Sequence, residues 1–216
     1  MHVGILGGTG PAGRGVAVRL ADAGIRVTVG SRDAERAAQI VDELHGKVPG
    51  AAALLSSAEN AGAAEAELVV VATPWESAVA TVRALREPLA GKVVVSMANA
   101  LFKEGREMLA MIPPRGSVAA QVQAALPDSL VAASFHHLPA SEMEDLTSGL
   151  EADVLVCSDH AEATAATVGM VEKMRGLRPL DAGSLSQAAA IEAFTGVCIT
   201  LNIKHKAHST LRLGGI

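Results

Sequence analysis

Short runs of apolar residues alternate with amphipathic stretches along most of the chain. Runs rich in Val, Ile and Leu, bounded by Gly, Ser or Pro, predict strands at residues 3–6, 26–29, 68–72, 93–97, 130–135 and 153–157. Ala-rich stretches with charges on one face predict helices between most of them, at 13–23, 34–45, 76–86 and 118–126. Strands that are apolar throughout, rather than alternately, are typical of a parallel sheet covered by helices on both faces. The pattern predicts a doubly wound, mostly parallel α/β fold, with a weak further strand at 51–55.

The alternation of predicted strands and helices changes after Phe135, where we expect a loop through Pro139. Beyond it the pattern predicts the strand at 153–157, a helix from 161 to about 174 and a long apolar helix from Ser184 to about Lys206. Residues Ser184 to Gln187 have the form of a capping box that would open this last helix. We therefore expect a larger α/β domain over residues 1–142 and a small α+β domain over residues 143–216.

Composition and charge narrow the functional classes. The chain has 216 residues, of which 50% are hydrophobic, and it lacks a charge-free apolar stretch of about 18 residues that could span a bilayer. A net charge of -5 gives no general attraction to nucleic acid, so we expect neither nucleic acid nor a membrane as partner. Strand-like sequence begins beside Met1, and the 2 cysteines lack a metal-binding spacing. We expect a cytoplasmic protein with no leader peptide and no metal site.

A glycine-rich segment follows the first predicted strand and opens the first helix. Its letters match the dinucleotide-binding fingerprint and read Gly8-Thr9-Gly10-Pro11-Ala12-Gly13. Glycines allow the backbone to approach a pyrophosphate, whose charge is met by free N–H groups at the helix N-terminus. The alternative is a glycine-rich turn without a ligand. Because the strand, the helix and a second strand stand in the required order, we favour nucleotide binding in a Rossmann-type domain.

The end of the second strand indicates which dinucleotide is bound. An NAD site places a carboxylate there for the ribose hydroxyls, whereas this chain has Ser31 and Arg32, with Arg36 four residues later. Two guanidinium groups at that spacing can converge on one phosphate. The sequence therefore favours NADP over NAD. The plainer alternative is that Ser31 caps the next helix and both arginines are solvated.

A polar and aromatic segment follows the strand at 68–72. Thr73 has the position of an N-cap, with Pro at the first helical position and Glu76 three residues after the cap. Trp75, the only Trp of the chain, stands at the carboxyl end of a central strand, where doubly wound folds bind ligands, and Val79 shares its helix face. Trp75 either lines a nicotinamide or substrate cleft or simply packs.

Two adjacent histidines, His136 and His137, follow another strand. Either could be an acid, a ligand or a packed residue, and we favour packing because no carboxylate or cysteine stands at metal-ligand spacing. The sequence has no recognisable triad or carboxylate pair. Hydride transfer needs little from side chains beyond holding two rings together, so we expect no catalytic side chain.

Several segments, taken in order along nearly the whole chain, resemble the NADPH-dependent F420 reductases, also called F420H2:NADP+ oxidoreductases. The segments that carry the resemblance are residues 7–15, 30–32 with Arg36, 73–76, 136–140 and 176–183. The family resemblance implies a homodimer that transfers a hydride reversibly between C4 of NADP(H) and C5 of coenzyme F420, an 8-hydroxy-5-deazaflavin.

The resemblance also implies roles for individual residues. Thr9 to Ala12 would hold the pyrophosphate, and Ser31, Arg32 and Arg36 the 2′-phosphate. Trp75 and Ala140 would lie at the nicotinamide end. Residues expected in the same cofactor site are Gly8, Gly13, Thr73, Val79 and Leu138. The chain departs from the family at Pro11, which has no N–H to donate, and matches it only loosely at residues 96–100.

Two other functions share these sequence features. One is an NADPH-dependent flavin or ferric reductase, and the other is a non-enzymatic NADP-sensing protein. A basic group near the end of the chain could attract the anionic tail of a deazaflavin or could simply stabilise a helix C-terminus. Its members are Lys204, His205, Lys206, His208 and Arg212.

Overall fold

The computed structural model describes residues 1–216 and contains one large sheet and one small one. The strands are β1 (His2–Leu6), β2 (Arg26–Ser31), β3 (Leu55–Glu59), β4 (Leu68–Val71), β5 (Val93–Ser96), β6 (Leu101–Glu104), β7 (Glu107–Ala110), β8 (Leu130–Ala133), β9 (Ala152–Ser158) and β10 (Leu177–Asp181). The helices are α1 (Pro11–Asp22), α2 (Ala34–His45), α3 (Asn60–Ala63), α4 (Trp75–Ala84), α5 (Arg86–Leu89), α6 (Val118–Ala125), α7 (Ala140–Glu144), α8 (Ala161–Val171) and α9 (Ala188–His205).

The large sheet has 8 strands in the order β10-β9-β8-β5-β4-β1-β2-β3. All neighbouring strands are parallel except β8 and β9. From β1 the chain winds outward to β2 and β3, then returns to β4 and winds the other way. The prediction of a doubly wound, mostly parallel sheet is confirmed. Strand order reverses between β1 and β4, which is the point where such sheets bind ligands.

Both faces of the sheet are covered. Ile5 belongs to a buried cluster formed with residues of α1, α2 and α8, whereas its neighbour Leu6 belongs to a second cluster formed with α4 and α6. Both side chains are fully buried. Burial on two faces explains why the central strands read as continuous apolar runs.

The predicted strand at 51–55 was wrong in position. Residues Ala52–Leu54 form a short 3-10 turn, and β3 occupies Leu55–Glu59 instead. β3 is an edge strand, and its residues Ser56 and Ser57 are exposed. A strand that is largely in contact with water does not need the apolar residues by which strands were identified in the sequence.

The capping box predicted at Ser184 is absent. The Ser184 hydroxyl lies 2.7 Å from that of Ser186 and caps no backbone N–H, and a 3-10 turn at Leu185–Gln187 precedes α9. The antiparallel β6–β7 hairpin and strand β10 were also not predicted. α9 packs closely against this hairpin, because a Cβ atom added at Gly196 would lie 2.7 Å from the Met108 carbonyl oxygen.

Strands from the second predicted domain extend the sheet of the first. β9 pairs with β8, and β10 pairs with β9. Asp153 of β9 is fully buried, receives two hydrogen bonds of 2.7 Å from Arg178 of β10, and accepts another from the Leu213 backbone. The segment after α9 is thereby fastened beside β9 and β10. No helix combines the length and the apolar character needed to cross a bilayer.

Candidate functional site

Three backbone N–H groups are free at the start of α1. The chain leaves β1 through Gly7, whose φ of +68° suits glycine, and enters α1 after Gly10. The N–H groups of Thr9, Ala12 and Gly13 have no hydrogen-bond acceptor within the chain. Free N–H groups at a helix N-terminus bind phosphate groups. The predicted loop therefore has the donors that a pyrophosphate requires.

Close packing fixes the shape of this loop. A Cβ atom added at Gly13 would lie 2.7 Å from the Cα atom of Gly8, so the loop and the helix touch through bare backbone. Pro11 occupies the first helical position, where its lack of an N–H removes no helix hydrogen bond. The departure from the family at Pro11 is thus compatible with the helix start.

Two contacts hold the loop, one from β2 and one from the start of α3, and the sequence analysis identified neither. The Gly8 N–H donates to the carbonyl oxygen of Gly30 at 2.8 Å. The Gly7 N–H donates to Oδ1 of Asn60 at 3.0 Å. Asn60 begins α3 directly after β3, so the misplaced third strand concealed it. A polar residue following a third parallel strand is the sequence signal that could have identified it.

The residues at the end of β2 retain free charged groups. Ser31 is buried, and its hydroxyl accepts a hydrogen bond of 3.2 Å from the Asp33 N–H. Asp33, rather than Ser31, caps α2 by accepting from the Arg36 N–H at 3.1 Å. The side chains of Arg32 and Arg36 are exposed and make no ion pair. Both guanidinium groups are free to bind an anion.

Thr73 does not cap a helix, contrary to the prediction. α4 begins at Trp75 with Pro74 as N-cap, and the buried Thr73 hydroxyl has no hydrogen-bond partner. Gly7 approaches Thr73 closely, since a Cβ atom at Gly7 would lie 2.7 Å from Cγ2 of Thr73. Thr73 thus packs against the phosphate-binding loop.

Trp75 and Val79 are partly exposed and pack against the apolar cluster under α4 and α6. Leu138 packs instead against the cluster under α1. The structure therefore places Trp75 and Leu138 after β4 and β8, which are separated by β5, and packs them against clusters on opposite faces of the sheet.

The loop after β8 meets the start of α1. Ala12, Leu138 and Ala140 line one small apolar cavity together with Phe135 and Met143. Leu138 and Ala140, which the sequence analysis assigned to the cofactor site, thus lie beside Ala12 of the phosphate-binding loop.

Two further contacts fasten α7 to α1. A Cβ atom added at Gly15 would lie 2.6 Å from Cβ of Met143, so the helices touch at that point. Arg14 donates to both carboxylate oxygens of Glu144, at 2.9 and 3.1 Å. These contacts fix the orientation of the helix that begins with Ala140.

His136 and His137 are buried and neutral. Each is only 4% exposed, and none of their ring nitrogens has a hydrogen-bond partner. Burial lowers the pKa of His136 to about 3, with a further lowering by His137. Burial also lowers the pKa of His137. Neither imidazole is positively charged at neutral pH, and each keeps a single ring N–H.

Two buried serine hydroxyls at the carboxyl-terminal edge of the sheet also lack hydrogen-bond partners. Ser96 ends β5 and Ser134 follows β8, and neither hydroxyl forms a hydrogen bond. Buried polar groups are normally paired, so unpaired ones at the carboxyl ends of adjacent strands are typical of a ligand site. The sequence analysis did not single out these two serines, because a single hydroxyl in an apolar strand has no distinctive pattern.

Comparisons with known proteins identify one family, and its curated members match this chain over nearly its whole length. The family described as "NADP oxidoreductase coenzyme F420-dependent" matches residues 2–100. The F420-dependent NADP reductase of Methanocaldococcus jannaschii is 37% identical, with coverage of 97% of this chain and 96% of that protein. The enzyme of the same name from Methanothermobacter marburgensis is 35% identical, over 95% and 94%. A crystal structure of a candidate F420-dependent NADP reductase from Arthrobacter superimposes with a TM-score of 0.81 at 27% identity, over 98% and 99% of the two chains.

Proposed function

The chain belongs to the coenzyme F420-dependent NADP oxidoreductases, and we propose that it transfers a hydride reversibly between NADP(H) and coenzyme F420. The observation that carries the proposal is the combination of free N–H groups at the start of α1 with two unpaired guanidinium groups at the end of β2. The first set fits a pyrophosphate and the second fits a 2′-phosphate. Full-length similarity to F420-dependent reductases favours a deazaflavin over a flavin, a ferric ion or a purely sensory role.

The contacts that hold the dinucleotide would be made mainly to its phosphate groups. Thr9, Ala12 and Gly13 would donate backbone N–H groups to the pyrophosphate. Arg32 and Arg36 would bind the 2′-phosphate beside the Ser31 hydroxyl. Because the loop is already fixed by neighbouring backbone, binding requires little ordering of this part of the chain.

The nicotinamide end would lie between the two apolar clusters of the sheet. On one side stand Leu138 and Ala140, beside Ala12. On the other stand Trp75 and Val79, with Thr73 against the phosphate-binding loop. These mostly apolar walls would exclude water and hold the rings in contact.

The two bound coenzymes supply the reaction itself, in which a hydride passes between C4 of the nicotinamide and C5 of the deazaflavin. The protein contributes by holding the two rings in the correct relative position. Because His136 and His137 are neutral at neutral pH, the side chains at the carboxyl-terminal edge of the sheet would surround the rings with polar but uncharged groups. No side chain is required to take part in a covalent step, so misplacement of the rings is the main way to lose activity.

The proposed function is tested by mixing the protein with NADPH and one of three acceptors: F420, FMN or a ferric chelate. We expect the deazaflavin absorbance band to bleach at a rate that far exceeds reduction of the other two. Faster reduction of FMN or ferric ion would replace the proposal with the corresponding reductase. NADPH binding without reduction of any acceptor would indicate a sensor.

We also propose that the protein is a cytoplasmic homodimer, with residues 1–142 as the NADP-binding domain and residues 143–216 contributing the deazaflavin cleft and the dimer contacts. Exposed apolar side chains on α9 support the dimer, namely Phe194, Val197 and Leu201. The free thiols of Cys157 and Cys198 suit a reducing compartment.

A further inference from the structure

A polar groove lies behind α1, lined by residues that have no part in the proposed hydride transfer. Its volume is about 340 Å³, and its walls are Arg19, Arg175, Gly176 and residues 146–151. Arg19 lies near the end of α1, about one and a half helical turns beyond Gly13 at the end of the phosphate-binding loop. The groove is therefore separate from the dinucleotide site.

Arg19 is a buried cation without a paired anion. It is only 2% exposed, yet no carboxylate oxygen lies within ion-pair distance of it. Its Nε and Nη2 atoms donate to backbone carbonyl oxygens, including that of Met143 at 3.0 Å, and to the Ser148 hydroxyl. Its Nη1 atom has no acceptor in the chain. A buried charge that is satisfied only by dipoles favours an anion beside it.

The acidic residues near the groove each have a partner, and for Asp22 that partner is Arg175, which itself lines the groove. Asp22 lies 3.6 Å from Arg175, and Glu151 lies 3.6 Å from Arg212. The carboxylates of Glu142 and Asp145 accept hydrogen bonds from His208 and Thr147. None of these carboxylates lies within ion-pair distance of Arg19. Burial and then the charge of Arg175 lower the pKa of Arg19, whereas the nearby charges of Asp22, Asp145 and Glu142 raise it.

Several backbone N–H groups along the groove walls are also unpaired. The N–H groups of Gly149, Leu150, Glu151, Arg175 and Gly176 have no acceptor within the chain. Guanidinium groups together with free backbone N–H groups form the donor set that binds phosphate oxygens. At about 340 Å³ the groove has room for several groups of the size of a water molecule, each of which takes about 30 Å³.

From this donor set we infer that the groove behind α1 binds the phosphate group of a small organic phosphate. Arg19 and Arg175 supply the charge, and the backbone of residues 149–151 and 175–176 supplies further donors. The same Arg19 holds the carbonyl oxygens of Glu142 and Met143 in α7. A ligand in the groove would therefore bind next to the helix that carries Ala140. The inference does not rest on the proposed hydride transfer.

The test uses the full chain with saturating NADP+, inorganic phosphate as the probe and thermal unfolding as the readout, since a ligand raises the melting temperature of the state it binds. Arg175→Gln removes one exposed guanidinium, and Arg86→Gln is its control on a distant surface. Gly149→Asp places a carboxylate in the groove, and Gly149→Asn is its uncharged control. A Cβ atom at Gly149 meets no heavy atom within 4 Å, so both variants are expected to fold.

We expect Arg175→Gln and Gly149→Asp to weaken phosphate binding by about tenfold or more, while both controls bind like the unaltered chain. Crystals soaked in tungstate should show an anomalous peak beside Arg19. Equal phosphate affinity in all variants, absence of any phosphate effect, or tungstate bound only outside the groove would each overturn the inference.

Discussion

Arg32 and Arg36 are the residues through which we expect the protein to distinguish NADPH from NADH. Neither guanidinium has a partner in the chain, and only NADPH has a phosphate that they could bind. Arg32→Ala should raise the KM for NADPH by about 10-fold to 100-fold, since a hydrogen bond to a charged group contributes about 1.5 to 3 kcal/mol. The KM for NADH should change little.

Steady-state kinetics with both nucleotides measure this difference. Arg26→Ala, an exposed arginine at the start of the same strand, is the control. Comparable kcat/KM values for NADPH and NADH in the unaltered protein would contradict the predicted preference.

The walls of the proposed cleft should matter more to hydride transfer than the two buried histidines. Trp75→Ala removes an aromatic wall, and Ala140→Leu fills the small cavity beside Ala12. Because a misplacement of about 1 Å can lower a rate about 100-fold, both changes should reduce kcat/KM strongly. His136→Ala and His137→Ala should keep measurable turnover, because both imidazoles are neutral.

Single-turnover measurements on folded protein with both coenzymes bound separate this prediction from stability effects. If one histidine substitution abolished the hydride step while both coenzymes stayed bound, position alone could not account for the reaction. An acid would then have to be assigned to that residue.

Glu192 connects two helices through a buried carboxylate. It lies on α9 and accepts hydrogen bonds of 2.8 and 3.0 Å from the Val118 and Ala119 N–H groups at the start of α6. Burial raises the pKa of Glu192 to about 7, despite the opposing effect of these N–H groups. The folded state therefore holds this proton more tightly than the unfolded state, whose pKa is near 4.5.

The sign of the resulting pH dependence follows from linkage. The contribution of Glu192 to the free energy of unfolding is fully present below about pH 4.5 and is lost as the pH rises to about 7. Glu192→Gln should remove this contribution. Urea denaturation of both proteins from pH 5 to pH 8 should show a difference in unfolding free energy that varies with pH. A constant difference would disprove the raised pKa.

Elements buried on both faces of the sheet were the ones that the sequence predicted well. β4, β5 and the part of β1 after His2 are buried along their whole length, which explains why these strands consist mainly of apolar residues. β3 and the β6–β7 hairpin were misplaced or missed because they are largely exposed, and water tolerates many residue types. The Thr73 cap differs in another way: local sequence favoured a cap at Thr73, but in the folded chain Pro74 is the N-cap of α4 and Thr73 packs against Gly7.

In the candidate site, too, features formed by adjacent residues could be predicted, whereas contacts between residues far apart in the sequence could not. The phosphate-binding loop and the Ser31-Arg32 pair could be predicted because adjacent residues form them. Asn60 reaches Gly7 across 53 positions, and Arg14 reaches Glu144 across 130. Contacts between such distant positions depend on the folded sheet, so a single sequence gives no direct sign of them.

The apolar surface of α9 should determine the oligomeric state of the whole molecule. Val197 lies near the centre of this helix and is 52% exposed. Val197→Glu would place a charge within the proposed interface, so we expect it to convert the dimer into a monomer of 22.0 kDa. Ala80→Glu, on the exposed face of α4, should leave the dimer intact. Light scattering at micromolar concentration provides the measurement, and a monomeric unaltered protein would contradict the proposed dimer.

Strand order in the large sheet also bears on how the protein could fold during its synthesis. Outward from β1, one side of the sheet adds β2 and β3, and the other adds β4, β5, β8, β9 and β10, each in the order in which the ribosome makes them. Every new strand therefore joins an open edge, and none has to enter between two strands that are already paired. The first half of the chain can offer a template to the second as it emerges, which limits the time that an unpaired edge is available for aggregation.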